Sequence, residues 1–361
     1  MKKKFRLFCL IPFILGIFII LCPSKVLADD NLGIGFEIKP IYSSTQIDND
    51  RGYYYIKTSP GVNQKIELAV YNTGDKELTV KPKVENAIAS TRGTIAYNAD
   101  VKLTDKSLRQ PLTEILVPDQ ETLTIAPGKE GILTFTLKTP TDSYDGVKMG
   151  RITVVEDNKD KKKKAGVSTE YQYALGVILS ESGDAFNDGK TLNLNDVKAT
   201  IDLGRRSVIA EIINPEPKTI ENLKVRSYVT KKGSNTKIKQ NNIDNFVFPP
   251  NSKLNFSIPW GLTNFEPGEY IFYFNADNGY DNFKLKKSFT IRGEEANKLN
   301  KDAAFKVNTP LYIKVIIVIL NVSLFTIVIL IIIRNNRWMH ILKRKNKRKN
   351  KRKNKRKNKR N

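Results

Sequence analysis

The sequence predicts an all-β body of two tandem immunoglobulin-like β-sandwich domains, preceded by an N-terminal signal peptide and followed by one C-terminal transmembrane helix. Three observations lead there. Apolar residues alternate with period two along the body, the two halves of the body repeat one order of parts, and an uncharged apolar run stands near each end of the 361 residues.

In chain order, Lys2 to Arg6 form a basic start, Leu7 to Leu21 an apolar stretch, and Val26-Leu27-Ala28 a small-residue cleavage signal, so residues 1–28 read as a secretory signal peptide. Residues 33–157 form the first domain, with Ile66, Leu68 and Val70 and then Leu133, Phe135 and Leu137 on alternate positions. The charged stretch Asp157 to Lys164 marks the boundary, although Tyr171 to Leu179 has the pattern to pair across it. Residues 166–293 form the second domain, where Leu223, Val225 and Val229, then Leu254, Phe256 and Ile258, alternate in the same way. Each half has a strand ending in Asn (Val70-Tyr71-Asn72; Ile212-Ile213-Asn214), a turn, a second strand, a Pro-containing turn and a clean alternating strand, the arrangement of tandem sandwiches. Residues 294–311 read as a polar stalk. Residues 312–333 read as a transmembrane helix, whose 19 uncharged residues from Val315 to Ile333 are enough to cross a hydrocarbon core of ~30 Å at ~1.5 Å per residue. Residues 334–361, with Lys-Arg-Lys-Asn repeated four times from Lys343, read as a disordered basic tail. Positive charge stays inside, so the tail is cytoplasmic, able to rest on anionic inner-leaflet lipids, and the two domains are outside the cell membrane in the cell-wall zone.

Composition excludes several chemistries. Cys9 and Cys22 lie in the signal segment and His340 lies beyond the apolar run, so the body has neither residue. Disulfides, Cys or His zinc sites, Cys nucleophiles and imidazole triads are out, no cofactor or metal is expected, and only a carboxylate mechanism stays open. The net charge of +24 belongs to the ends, and residues 29–313 carry only +2, which is no basis for specific nucleic-acid binding. A secreted body without cysteine fits a Gram-positive envelope.

A series of segments carries a family resemblance. Phe36-Glu37-Ile38-Lys39-Pro40, Gln46-Ile47, Gly52-Tyr53, Pro60-Gly61, Val70-Tyr71-Asn72 and Gly93-Thr94-Ile95-Ala96-Tyr97 resemble the first domain of the WxL-interacting protein family. Leu175 to Glu181, Leu194 to Val197, Ile213-Asn214-Pro215, Phe256 to Trp260 and Pro267 to Tyr270 are similar to its other domain. The resemblance spans about 260 residues. It implies a surface adaptor rather than an enzyme, whose first domain binds peptidoglycan and whose second binds host extracellular matrix proteins and surface proteins carrying WxL domains. Trp260-Gly261-Leu262 occurs once, without the second copy a WxL domain carries, so the chain reads as the interacting partner. Two alternatives stand beside this: a chaperone-like scaffold offering a sheet edge to secreted proteins, and a carboxylate-based wall hydrolase.

For glycan recognition the useful groups are aromatic faces and hydrogen-bonding Asn or Arg. Tyr53-Tyr54-Tyr55 places rings on both faces of a strand, and Tyr54 is expected outward. The loop from Asn86 to Tyr97 brings Asn86, Arg92 and Tyr97 around Gly93 as candidates to cradle wall peptide, with a purely structural hairpin as the favoured reading. Tyr270 to Phe274 reads as a buried central strand, and Asp48-Asn49-Asp50 as a turn rather than a calcium loop.

Overall fold

A computed structural model describes residues 35–157, 171–306 and 310–357, and the predicted signal peptide lies outside them. The first unit comprises β1 (Phe36–Ile41), β2 (Tyr54–Lys57), β3 (Gln64–Asn72), β4 (Leu78–Ala89), β5 (Ile95–Asn98), the one-turn helix α1 (Leu112–Ile115), β6 (Leu116–Pro118), β7 (Leu123–Ile125), β8 (Glu130–Leu137), β9 (Val147–Glu156) and β10 (Gln172–Ser180). These strands form two sheets, β1-β3-β8-β6 and β2-β10-β9-β4-β5, with β7 alongside β4. The alternating residues Ile66, Leu68, Val70, Leu133, Phe135 and Leu137 point between the sheets, as period-two patterning requires.

One strand departs from the sequence boundary. β10 falls in the half assigned to the second domain, yet it pairs antiparallel with β9 and parallel with β2, and Val177 and Leu179 are in the first core. The charged stretch that suggested a boundary lies, beyond Asp157, outside the described residues, and the pairing of β10 with β9 puts the first core's last strand after it.

The second unit comprises β11 (Asn193–Asp202), β12 (Arg205–Asn214), β13 (Ile220–Lys231), β14 (Lys239–Phe248), β15 (Ser252–Gly261), β16 (Gly268–Asp277) and β17 (Asn282–Ile291). The sheets β11-β12-β15 and β14-β13-β16-β17 enclose an aromatic core containing Phe246, Phe248, Phe256, Phe272 and Phe274. The strand from Tyr270 to Phe274 is central, with Tyr270, Phe272 and Phe274 inward.

The repeated Asn is a repeated clamp. Asn72 Nδ2 donates to Lys76 O (2.8 Å) and Ile125 O (3.0 Å), and its Oδ1 accepts from Gly74 N (2.9 Å). Asn214 Nδ2 donates to Lys218 O (2.8 Å) and Pro249 O (2.9 Å), and its Oδ1 accepts from Glu216 N (3.1 Å). In each unit one buried amide closes the turn that follows it and ties that turn to a carbonyl from the far side of the sequence. Backbone groups that would be orphaned in the interior are thereby paired.

The two units touch closely. Val147 N donates to Pro217 O (2.9 Å), Val247 N to Gly93 O (2.9 Å) and Asp105 N to Asn251 O (3.0 Å). Gly146 stands at this junction with φ +67, and a Cβ there would lie 2.3 Å from Pro217 O, so only glycine allows both the turn and the approach.

Residues read as a stalk begin instead with the helix α2 (Gly293–Asp302), whose Ala296 and Leu299 meet the second core at i, i+3 spacing. Arg206, 1% exposed, holds this exit: Nε donates to Asn300 Oδ1 (2.9 Å), Nη2 to Asn264 Oδ1 (3.0 Å) and Asn300 O (3.1 Å), and Nη1 to Phe305 O (3.3 Å). Its acceptors are all neutral oxygens. Both cores and this clamp are complete within residues 35–306. α3 (Leu311–Lys357) follows, and Leu311–Asn335 is the segment long and apolar enough to cross a membrane among the described residues. Helix continues through the basic repeats, where the sequence suggested disorder. Lys and Arg are good helix formers, and elongation from an existing helix avoids the cost of nucleation.

Two outcomes follow from this architecture. A chain of residues 35–157 will show no cooperative unfolding transition, because it lacks the strand between β2 and β9, while residues 35–186 will unfold as one unit; circular dichroism melts distinguish them. Asn214→Ala will lower stability by about 3 kcal/mol in urea unfolding, since buried carbonyls and an N–H lose their partner together.

Candidate functional site

The outer face of the first unit's larger sheet is hollowed into a cleft of about 720 Å3. Tyr53, just before β2, and Tyr55 of β2 form one wall, β5 supplies Ile95 and Tyr97, and Met149 and Ile178 of β9 and β10 form its floor. Tyr53 just precedes β2 and Tyr55 is two residues on, so alternation places both on one face. Gly176 widens the floor: a Cβ there would touch Tyr53 Cβ at 3.4 Å. Tyr55, Val147 and Ile178 form a small apolar cluster under the cleft, with Phe186 from the loop after β10 laid edge-on to Tyr55 at 5.6 Å.

The loop before β2 is fixed by Gln46. Its Nε2 donates to Asp48 O (2.8 Å) and Tyr53 O (3.1 Å), and its Oε1 accepts from Tyr55 N (3.1 Å). That places Arg51 over the cleft, with its guanidinium 5.6 Å from the Tyr53 ring centre and 6.0 Å from that of Tyr55. Arg51 Nε donates to Asp48 (2.7 Å) and Nη1 to the Tyr53 hydroxyl. The hydrogen bond from Arg51 holds the Asp48 carboxyl below its usual range, and the same bond raises Arg51. Asp48 also accepts from Asp50 N, which is the turn expected of Asp48-Asn49-Asp50. Across the cleft Arg151 lies 4.8 Å from the Tyr97 ring centre. Burial pushes up the Tyr97 and Tyr55 phenols, so both rings present neutral hydroxyls at neutral pH.

Chemically this is a trough of tyrosine faces with the Arg51 guanidinium on one side, Arg151 packed on the Tyr97 ring outside the lining, and the carboxylates Asp48, Asp184 and Glu221 on its rim. Aromatic faces accept sugar rings, and guanidinium and carboxylate groups bind hydroxyls, amides and free carboxylates. Glu221 belongs to β13, so the second unit closes one end.

Of the residues singled out in the sequence, Tyr97 is in the cleft. Tyr54 is not outward as expected: it is 1% exposed, packs in the first core and donates its hydroxyl to Glu67 O (2.6 Å). The register of β2 on β10, with Tyr54 opposite Val177, turns the middle tyrosine inward and its neighbours outward. Asn86 is also corrected. It is 0% exposed, and its amide is spent on Thr113, donating to Oγ1 (2.9 Å) and accepting from N (3.3 Å). Arg92 is exposed at the tip of the β4–β5 hairpin beside the junction with the second unit, away from the cleft lining. Arg51, Tyr53, Tyr55 and Phe186 were missed; for the tyrosines the i, i+2 spacing within Tyr53-Tyr54-Tyr55 was the available signal.

Comparison with known families places this geometry. Residues 36–156 match the family model described as WxL Interacting Protein, peptidoglycan binding domain, and residues 162–301 that described as WxL Interacting Protein, host binding domain. Comparison with curated proteins finds no match. Among solved structures the chain is similar to the CsuC-CsuE chaperone-tip adhesion subunit pre-assembly complex of Acinetobacter baumannii, at 13% identity over 62% of this chain and 90% of that one, with a TM-score of 0.29. It is also similar to the E. coli chaperone DraB, at 14% identity over 69% and 95%, with a TM-score of 0.26. Likeness at such scores carries no argument.

The support beneath Tyr97 titrates. Burial alone raises Glu85, but hydrogen bonds from Arg151 (2.6 Å) and Thr153 (2.7 Å) outweigh it and hold its carboxyl below its ordinary value of 4.5. A lowered carboxyl stabilises the fold above its unfolded value and loses that contribution as pH falls through its folded value. Wild type will therefore lose stability below about pH 4.5 more steeply than Glu85→Gln, in melts recorded from pH 7 to pH 3.

Proposed function

The chain belongs to the WxL-interacting protein family, and from that premise we propose that it is a membrane-anchored surface adaptor that holds peptidoglycan in the tyrosine cleft of its first unit. The single observation supporting this placement is the trough formed by Tyr53, Tyr55 and Tyr97 with Arg51 on the family's peptidoglycan-binding domain. Sugar rings stack on the tyrosines, and Arg51 and Arg151 take the acyl and peptide carboxylate groups that decorate such a glycan. The second unit engages WxL-domain proteins or host extracellular matrix proteins. The helix Leu311–Asn335 crosses the cell membrane, with the sandwiches in the wall zone and the basic repeats on the cytoplasmic side against anionic lipid. Tethering at one end and wall contact at the other gives each weak site a high effective concentration. Both matched family domains are described by what they bind, which agrees with a protein that is not an enzyme.

The test uses residues 30–306, which retain both cores, pelleted with purified peptidoglycan sacculi. Wild type will pellet saturably. The double variant Tyr53→Ala, Tyr97→Ala will bind roughly tenfold or more weakly at an unchanged unfolding midpoint, as expected from losing two stacking contacts of about 1 kcal/mol each. Saturable binding that this variant leaves intact places the glycan elsewhere, and absence of pelleting removes the wall-binding reading altogether.

A further inference from the structure

On the opposite unit, the outer face of the β14-β13-β16-β17 sheet carries a row of side chains that the cleft does not use. Tyr228 of β13 and Tyr273 of β16 are register partners, and their rings stack at 4.7 Å with an interplanar angle of 16°. Lys237, in the β13–β14 hairpin, sets its Nζ 4.6 Å from the centre of the Tyr228 ring. Lys286 of β17 is the register partner of Tyr273, and Lys284 lies two residues along the same face. At strand spacings of ~4.8 Å, the row Lys286, Tyr273, Tyr228, Lys237 crosses the sheet over roughly 15 Å, with Lys284 roughly 7 Å to one side.

Three features of this row bear on its partner. All three lysines are exposed, and among the described residues none has a carboxylate partner, whereas the neighbouring Arg226 is paired with Asp244 at 2.7 Å. The face is the outer surface of a four-stranded sheet, so a ligand lies across it. The free cations are all lysine. Protein interfaces are depleted in lysine and enriched in arginine, and carboxylates are best met by the arginine fork, so an acidic protein surface is the poorer match. Lysine binds phosphate as a point charge from any direction, which suits a flexible chain of phosphates.

We propose that this tyrosine–lysine face is a docking surface for a linear phosphodiester polymer. The phosphates sit on Lys237, Lys284 and Lys286, and the carbon chain between them lies over the stacked rings of Tyr228 and Tyr273. The site is separate from the glycan cleft and stands whether or not the cleft binds peptidoglycan.

The probe is poly(glycerol phosphate), titrated into residues 30–306 at 50 and 200 mM salt, so that the basic repeats, which bind any polyanion, are absent. Binding is expected to weaken with salt. The triple variant Lys237→Gln, Lys284→Gln, Lys286→Gln is expected to lose at least tenfold in affinity and to flatten the log–log salt slope by about 2, at roughly 0.7 per phosphate contact as for single-stranded nucleic acid. A control variant of equal charge change on the first unit, Lys76→Gln, Lys129→Gln, Lys138→Gln, is expected to stay within twofold of wild type. Absence of binding overturns the proposal, as does an equal loss in the control, which means diffuse attraction only. Poly-L-glutamate bound as tightly as the phosphate polymer also overturns it, in favour of an acidic protein partner.

Discussion

The insertion of β10 between β2 and β9 is the constraint on which the first half of the molecule depends. An extended segment in the middle of a sheet has both rows of backbone groups paired, here parallel on one side and antiparallel on the other. Its inward residues Val177 and Leu179 complete a core whose other members lie more than a linker away in sequence, and its outward residues Gly176 and Ile178 floor the tyrosine cleft. The segment that follows it supplies Phe186 to the same cleft before the chain enters the second unit. Core, cleft and connection are therefore set by one strand, and the unit that carries the cleft is only complete once β10 has joined it.

Much of this was legible beforehand, for physical reasons that also mark where legibility stops. Period-two runs such as Ile66-Leu68-Val70 can bury one face only as strands, so the class of fold followed from them. The recurrence of a strand-ending Asn pointed to a repeat, and Asn72 and Asn214 make equivalent hydrogen bonds in their two turns. Pairing partners were legible only in part: the pattern of Tyr171 to Leu179 allowed pairing across the charged stretch, which β10 does with β9, but a strand's own pattern does not say that it lies between β9 and β2. The orientation of Tyr53-Tyr54-Tyr55 failed for a related reason. In a run of identical side chains alternation divides them between two faces, and only register on β10 decides which face is inner. Asn86, taken with the loop but lying in β4, shows that a polar side chain is as able to satisfy backbone as to bind a ligand.

The cleft and the sheet face on the second unit rest on different chemistry. At the cleft, each arginine beside a tyrosine has a carboxylate partner: Arg51 with Asp48, Arg151 with Glu85. Such pairs position rings and donors without adding net charge of their own. Across the molecule the lysines beside Tyr228 and Tyr273 have no such partners, and their field reaches outward. The near-neutral body thus has its charge arranged locally, cancelled at one surface and left open at another.

Arg206 gives the molecule a mechanical property. β17 is an edge strand and the last before the chain continues into α2 and the apolar helix α3, so tension from that end would by itself peel β17 from β16 one hydrogen bond at a time. Arg206 stands on β12, the middle strand of the facing sheet, and grips Asn300 and Phe305 of the departing chain. A pull on the departing chain is thereby shared with the middle of the facing sheet instead of falling on the edge strand alone.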